Sequence, residues 1–209
     1  MIDPTKNVDT DLLKNLAIGV FAIVMTLLVL DLKAPATNSE QLPNAILALW
    51  PNFLSYAISF ALLGIYFLGY TAQFKYIIKT DNTSNWISFF FLALITLIPF
   101  STALLSKYPQ TFIALALFGV NNIFIGLALY WHWMYATQKK EVNNPPDDIT
   151  TYAIIRALMA PLGYLIGILM AIINTELSLI IFAITPLLHI LPGMQNHFWL
   201  PLATFLTKK

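Results

Sequence analysis

Cysteine is absent from this sequence, which removes disulfides, thiolate nucleophiles and cysteine metal sites together. Charge is nearly as scarce: only 10% of the 209 residues are Asp, Glu, Lys or Arg, where a soluble domain carries about 25%. Eleven cationic and ten anionic side chains leave a formal net charge of +1 and no electrostatic footprint for nucleic acid. Histidine is rare too. His132, His189 and His197 lie far apart, and none has a carboxylate or second histidine at metal-ligand spacing, so neither a metal enzyme nor a catalytic triad is supported. What remains is apolar. With 58% hydrophobic residues, the expected solvent for most of the chain is the lipid bilayer.

A bilayer core of about 30 Å needs roughly 20 apolar residues at 1.5 Å rise each. Six such runs predict an all-α, polytopic membrane protein forming one domain over 1–209, with spans at about 12–30, 46–70, 86–105, 112–135, 154–173 and 177–191. Pro51 falls near the start of the second span, where its missing N–H is least costly. Pro192 and Gly193 end the sixth, and the tail from Phe198 to Leu206 extends it or lies at the interface. Between the spans the chain turns polar, most strongly at 138–149, and Asn174 or Thr175 is placed to cap the last span.

Lysines divide unequally between the two sides. Lys6, Lys14, Lys75, Lys79, Lys139, Lys140, Lys208 and Lys209 share one side and Lys33 and Lys107 the other, with Arg156 inside the fifth span. Eight against two places both termini in the cytoplasm. A signal peptide cleaved after Ala34-Pro35-Ala36 is disfavoured, because Asp3, Asp9 and Asp11 spoil the positive n-region.

Polar groups inside the spans are few and therefore informative. Thr26, Ser59, Ser88, Ser101, Thr102, Asn121, Asn122, His132, Arg156 and Thr185 are the main ones. Hydroxyls satisfy themselves on a carbonyl one turn back. Asn121 and Asn122 want partners on other helices and read as packing polar residues, whereas Arg156 sits close enough to the span end to snorkel. In the first span Ile23, Leu27 and Leu30 fall on one stripe, with Thr26 at its edge and Gly19 one turn before. Periodicity alone makes that stripe a packing face.

Gly19-Val-Phe-Ala-Ile23, Thr26-Leu-Leu-Val-Leu-Asp31 and the following Pro35 closely resemble the first helix of the transmembrane protein 175 family of potassium channels, known from lysosomes and prokaryotes. The likeness continues through Tyr56-Ala-Ile-Ser-Phe60, Gly64-Ile-Tyr66, Ile98-Pro-Phe-Ser-Thr102-Ala-Leu104 and the Asn-containing stretch Gly119 to Ala136. Spans five and six match by hydropathy more than by motif. Two departures stand out. Leu12 and Leu16-Ala17-Ile18 occupy the places of the family's RxxxFSD motif, and Phe67, Tyr70 and Thr71 stand where the family commonly has a Trp and a His pair. Loss of both suggests that one polar network was replaced as a unit by apolar packing.

The resemblance implies a homotetramer of six-helix subunits in a prokaryotic plasma membrane, with the first helix lining a central pore. It implies no enzymatic activity and no cofactor beyond the permeating potassium ion. The sequence contains no TVGYG-like carbonyl filter. Selection is therefore assigned to first-helix side chains: Ile23 as the narrowest apolar ring, Leu27 and Leu30 as its throat, and Thr26 hydroxyls giving potassium a modest preference over sodium. Asp31 falls at the outer mouth, where it concentrates cations, caps the helix or pairs with Lys33. Three alternatives stay open. A small secondary transporter would use a broken helix at Pro161-Leu-Gly163, a proton-conducting variant would use the same pore, and an intramembrane enzyme would have only Arg156 and His132 to draw on.

Overall fold

A computed structural model describes residues 10–143 and 147–190, and within them every regular element is a helix. The order is α1 (Thr10–Leu28), continued by a 3-10 turn over Val29–Asp31, α2 (Leu42–Ala48), α3 (Trp50–Gln73), α4 (Asn82–Thr96), α5 (Ile98–Lys107), α6 (Phe112–Gln138), α7 (Asp147–Ala171) and α8 (Thr175–Ile190). Prolines set several boundaries. Pro43 and Pro51 lie in the first turns of α2 and α3, and Pro99 is the second residue of α5. Lacking an N–H, Pro99 leaves the Ile95 carbonyl without its helical donor, so the third expected span steps at Leu97 into two pieces.

Among the described residues five stretches are long and apolar enough to cross a membrane: Thr10–Asp31, Trp50–Gln73, Asn82–Lys107, Phe112–Gln138 and Ile149–Ala171. The expected boundaries shift in an instructive way. The third span begins at Asn82 rather than 86, because Asp81 caps α4 by accepting the Ser84 N–H at 2.8 Å. The second is one long helix preceded by the separate short α2. The sixth, expected at 177–191, is an apolar helix over Thr175–Ile190. Its tail at 198–206 lies outside the described residues. Asn174 is the cap, with Oδ1 accepting the N–H groups of Glu176 at 2.8 Å and Leu177 at 3.1 Å.

The bundle is organised around α6, which packs on α3, α4, α5, α7 and α8. Its buried side chains spread round the helix rather than along one stripe, from Leu115 and Phe118 to Asn122, Ile125, His132 and Trp133. Contact is most extensive with α7. Gly126 permits it: a Cβ there would lie 2.5 Å from Pro161 Cδ and 2.9 Å from the Ala157 carbonyl oxygen. Pro161 sits inside the continuous helix α7. The broken helix expected at Pro161-Leu-Gly163 is therefore not found, and the proline is a packing surface for α6.

At one end of the bundle the chain after α3 meets the chain after α6. Lys140, at φ 54°, takes the left-handed position of a Schellman cap, with Glu141 N–H donating to the Ala136 carbonyl at 2.9 Å. An antiparallel bridge joins Ile77 to Val142, flanked by Ile78 N–H to Glu141 O and Asn143 N–H to Tyr76 O, both 2.9 Å. Lys75, Lys79, Lys139 and Lys140 accordingly share one end of the molecule.

Candidate functional site

Helix α1 lies at the edge of the bundle, on α3, α4 and α5. Leu13, Ala17, Phe21, Val24 and Leu28 form its buried stripe, with Phe21 set 5.3 Å from Phe67 and 6.2 Å from Phe91 between ring centroids. The remaining surface of α1 is uncovered in the subunit. Ile23 is 61% exposed, Leu27 42% and Leu30 64%, and Thr26 and Gly19 share their exposure. Leu12 and Leu16 extend the same line toward the N-terminus. The spacing 12, 16, 19, 23, 26, 30 alternates four and three, which is the seam spacing of helices that pack on copies of themselves. This face thus starts two turns before Gly19, the residue at which the sequence expectation begins it.

Two details of the seam bear on chemistry. A Cβ on Gly19 would meet nothing within 4 Å, so no neighbour in the subunit requires a glycine there. The Thr26 hydroxyl donates to the Ile23 carbonyl at 2.7 Å. Its proton is thus turned into the helix while both oxygen lone pairs stay outward, free to accept from water or to face a cation. Asp31 closes the 3-10 turn one step beyond Leu30, half-buried.

The other predicted polar residues are engaged elsewhere. Asn122 is fully buried, donates to the Phe118 carbonyl at 2.8 Å and accepts the Tyr66 hydroxyl of α3 at 3.2 Å. Asn121 reaches Ser101 of α5 at 3.5 Å. Ser59 and Thr102, from two of the motifs that carry the family resemblance, meet across α3 and α5 at 2.7 Å. Arg156 donates to Tyr152 at 3.2 Å, far from forming any pair with His132.

His132 instead joins three helices. Gln73 Nε2 donates to the Leu129 carbonyl at 3.0 Å, which orients the amide so that Oε1 faces His132 Nδ1 at 2.7 Å. Oε1 can only accept, so Nδ1 carries the proton and Nε2 accepts the Ser88 hydroxyl at 3.0 Å. The ring is neutral, fully buried and stacked on Tyr70 at 5.6 Å, which stacks in turn on Phe91 at 5.0 Å. This is a structural histidine. Gln73 was missed from the sequence because it ends an apolar run and reads as the first loop residue.

The missing RxxxFSD and His-pair motifs divide between two environments. Phe67 and Tyr70 join the aromatic cluster around Phe21 and Phe91, and Thr71 bonds back to the Phe67 carbonyl at 2.8 Å. Ile18, however, is 50% exposed and Leu16 39%, so the positions of the lost motif do not all lie in the apolar packing that surrounds Phe67. Replacement as one buried unit is corrected to that extent.

Known proteins resemble this chain over much of its length. The family model described as the endosomal/lysosomal potassium channel TMEM175 matches residues 13–99, which include the seam from Leu16 onward, nearly all of the first span, the second span and the third as far as Pro99. A potassium channel of Streptomyces collinus is 29% identical over 168 residues, covering 77% of this chain and 82% of the relative. One of Chamaesiphon minutus is 29% identical over 188 residues, covering 85% and 92% respectively. The crystal structure of a lysosomal potassium-selective channel TMEM175 homolog from Chamaesiphon minutus matches with a TM-score of 0.77 at 25% identity, over 90% of this chain and 98% of that one. Apolar helices and sequence thus agree along most of the chain with these proteins, and the chain is similar to prokaryotic potassium channels and to the TMEM175 family.

Proposed function

We propose that the protein is one subunit of a potassium channel whose pore is lined by α1, in a homotetramer of single six-helix domains. The observation that carries this reading is the uncovered α1 seam, where a glycine without a steric reason in the subunit and an outward-facing threonine interrupt an otherwise apolar line. Copies of α1 around an axis would give Gly19 its close neighbour. They would also bring the Ile23 side chains together as the narrowest ring, with Leu27 and Leu30 as an apolar throat that closes by dewetting. The family and the relatives are channels rather than enzymes, and the function needs no cofactor beyond the permeating ion.

In this reading Thr26 oxygens hold partly hydrated potassium, and Asp31 sits at the outer mouth. The preference over sodium is modest, because hydroxyls one turn from the constriction replace only part of a hydration shell. The lysine-rich end formed by the loops after α3 and α6 faces the cytoplasm of a prokaryote, as does the N-terminus, in the plasma membrane. The transporter alternative lost its broken helix, since α7 runs unbroken through Pro161.

Potassium and sodium flux through proteoliposomes tests the proposal. Passive, non-saturating, potassium-favouring flux is expected. Ile23→Asn should raise it about tenfold, equivalent to ~1.4 kcal/mol off the permeation barrier, and Thr26→Val should lower the potassium preference. Unchanged flux in both folded variants would reduce the seam to packing, and saturable, counter-substrate-dependent flux would favour a transporter.

A further inference from the structure

Between α3, α6, α7 and α8 lies a cavity of about 320 Å³, at the lower end of the range for ligand sites. Its lining runs from Ile65 to Tyr76 on α3 and the turn after it, and from Ile149 to Ala160 on α7. Eleven steps of about 1.5 Å rise make this a slot about 16 Å long, parallel to the helices. Along its depth the walls are apolar, with Ile65, Gly69, Leu129 and Ala157. Gln73 also lines it, but its amide is committed to Leu129 and His132.

Among the described residues Lys75 and Arg156 bring the only Lys or Arg side chains to this lining, His189 lies beside them with Nε2 3.3 Å from the Arg156 carbonyl oxygen, and no carboxylate accompanies them. Among the described residues neither makes an ion pair within 4.0 Å. Arg156 Nη1 donates to the Tyr152 hydroxyl at 3.2 Å, drawing the guanidinium one turn toward the end where Lys75 lies. An arginine inside an apolar span wants a counter-anion. An apolar slot with two cations toward one end, neither in an ion pair among the described residues, is complementary in charge and polarity to an amphiphile with an anionic head.

We propose that the cavity takes one acyl chain of an anionic phospholipid, with the phosphate held between Lys75 and Arg156. A free phosphate would leave the apolar depth unfilled, and a zwitterionic headgroup would offset one of the two attractions. Each cation contributes roughly fivefold to headgroup preference, so the pair gives a preference on the order of 25-fold for an anionic over a zwitterionic lipid.

Trp133 lines the slot and is only 1% exposed, so acyl chains in the surrounding bilayer do not touch it. Its emission is read as the difference between the wild-type protein and Trp133→Phe, which cancels the other tryptophans. The protein is reconstituted in phosphatidylcholine containing a minor fraction of chain-brominated phosphatidylglycerol or, in parallel, chain-brominated phosphatidylcholine. The expected result is strong quenching of the Trp133 component by the brominated anionic lipid and weak quenching by the zwitterionic one. The preference should collapse in the Lys75→Gln/Arg156→Gln variant and survive excess inorganic phosphate. Ala153→Phe, which fills the slot, should abolish quenching by either lipid. Equal quenching by both lipids, a preference that persists without the two cations, displacement by inorganic phosphate, or quenching unchanged in a folded Ala153→Phe protein would each overturn the proposal.

Discussion

Replacing His132 with Phe isolates the polar contribution of the buried network, because the ring stays between Tyr70 and Phe74 while both of its hydrogen bonds vanish. Ser88, 0% exposed, then loses the acceptor for its hydroxyl, and Gln73, 5% exposed, faces a ring that no longer donates to Oε1. In a water-excluded protein core, two stranded groups would cost about 2–6 kcal/mol together. Between helices in a membrane the measured worth of a hydrogen bond averages about 0.6 kcal/mol, because the dissociated helices find other partners. Ser88, His132 and Gln73 lie on three different helices, so separation removes every partner at once, and a loss of about 1–3 kcal/mol is expected between those limits. At this chain length that lowers the melting temperature by about 3–10 °C. The assay is thermal unfolding of the purified protein in detergent, followed by helical circular dichroism. The decisive comparison is Gln73→Leu/Ser88→Ala/His132→Phe, which removes all three polar partners. The Leu129 carbonyl, freed of Gln73, keeps its place in the α6 backbone ladder, so the triple variant should recover most of the loss. A triple variant less stable than the single, or a single variant indistinguishable from the native protein, would refute the assigned network.

Gly126→Ala should destabilise by about 1–3 kcal/mol, since its Cβ would meet the Pro161 ring and the Ala157 backbone, neither of which can rotate away. Gly64→Ala, whose Cβ would meet nothing within 4 Å, should instead be neutral or stabilising by about 0.5–1 kcal/mol; equal effects of the two in a melting assay would sink the packing argument. Glu141 is 3% exposed and accepts the Asp81 N–H at 2.8 Å, and burial holds its pKa above the ordinary carboxylate value. A raised folded-state pKa means that the protonated form is favoured on folding, so stability from this group is lost as pH rises through that pKa. Glu141→Gln keeps the acceptor without the charge, so it should raise the melting temperature at neutral pH, and the gain should vanish as the pH falls through the raised pKa. A pH-independent effect would exclude the buried charge as its cause. Asp81 opposes this trend: burial pulls its pKa up, but the Ser84 N–H and the Tyr135 hydroxyl outweigh it and leave it lowered, so its contribution is lost in acid.

Elements whose signals are local were legible before the fold was. A bilayer demands length and apolarity from every crossing helix, and five of the expected spans are present because those demands are written in consecutive residues. The Asn174 cap and Pro51 in a first helical turn are equally local. What failed has a common cause. The network of Gln73, Ser88 and His132 joins residues up to 59 positions apart, and each alone is an ordinary polar residue with an ordinary local alternative. The packing of Pro161 inside α7 was invisible for the same reason, since the room for it is made by a glycine in α6, 35 positions away. Even the early start of the third span, at Asn82 instead of 86, rests on Asp81, whose capping bond to Ser84 forms only once the helix does.

The seam on α1 poses a different problem, because in a membrane protein exposure carries less information than in a soluble one. Lipid tails are as apolar as leucine, so an exposed Ile23 or Leu30 is satisfied whether it faces lipid, another subunit or a closed pore. Hydrophobicity therefore cannot distinguish these surroundings, and the discriminating residues are those that lipid does not favour. Gly19 gives up side-chain contact that any larger residue would make with acyl chains, and gains nothing inside the subunit. Thr26 presents an acceptor oxygen that hydrocarbon cannot use, although its proton is already satisfied at Ile23. Both fall on the line that also carries Leu12 and Leu16, while the buried stripe through Ala17, Phe21 and Val24 accounts for α1's own packing. Two residues poorly suited to lipid therefore share a face that the fold leaves open. That coincidence, more than the apolar stripe itself, is what makes α1 a pore helix rather than a peripheral one in the proposed assembly.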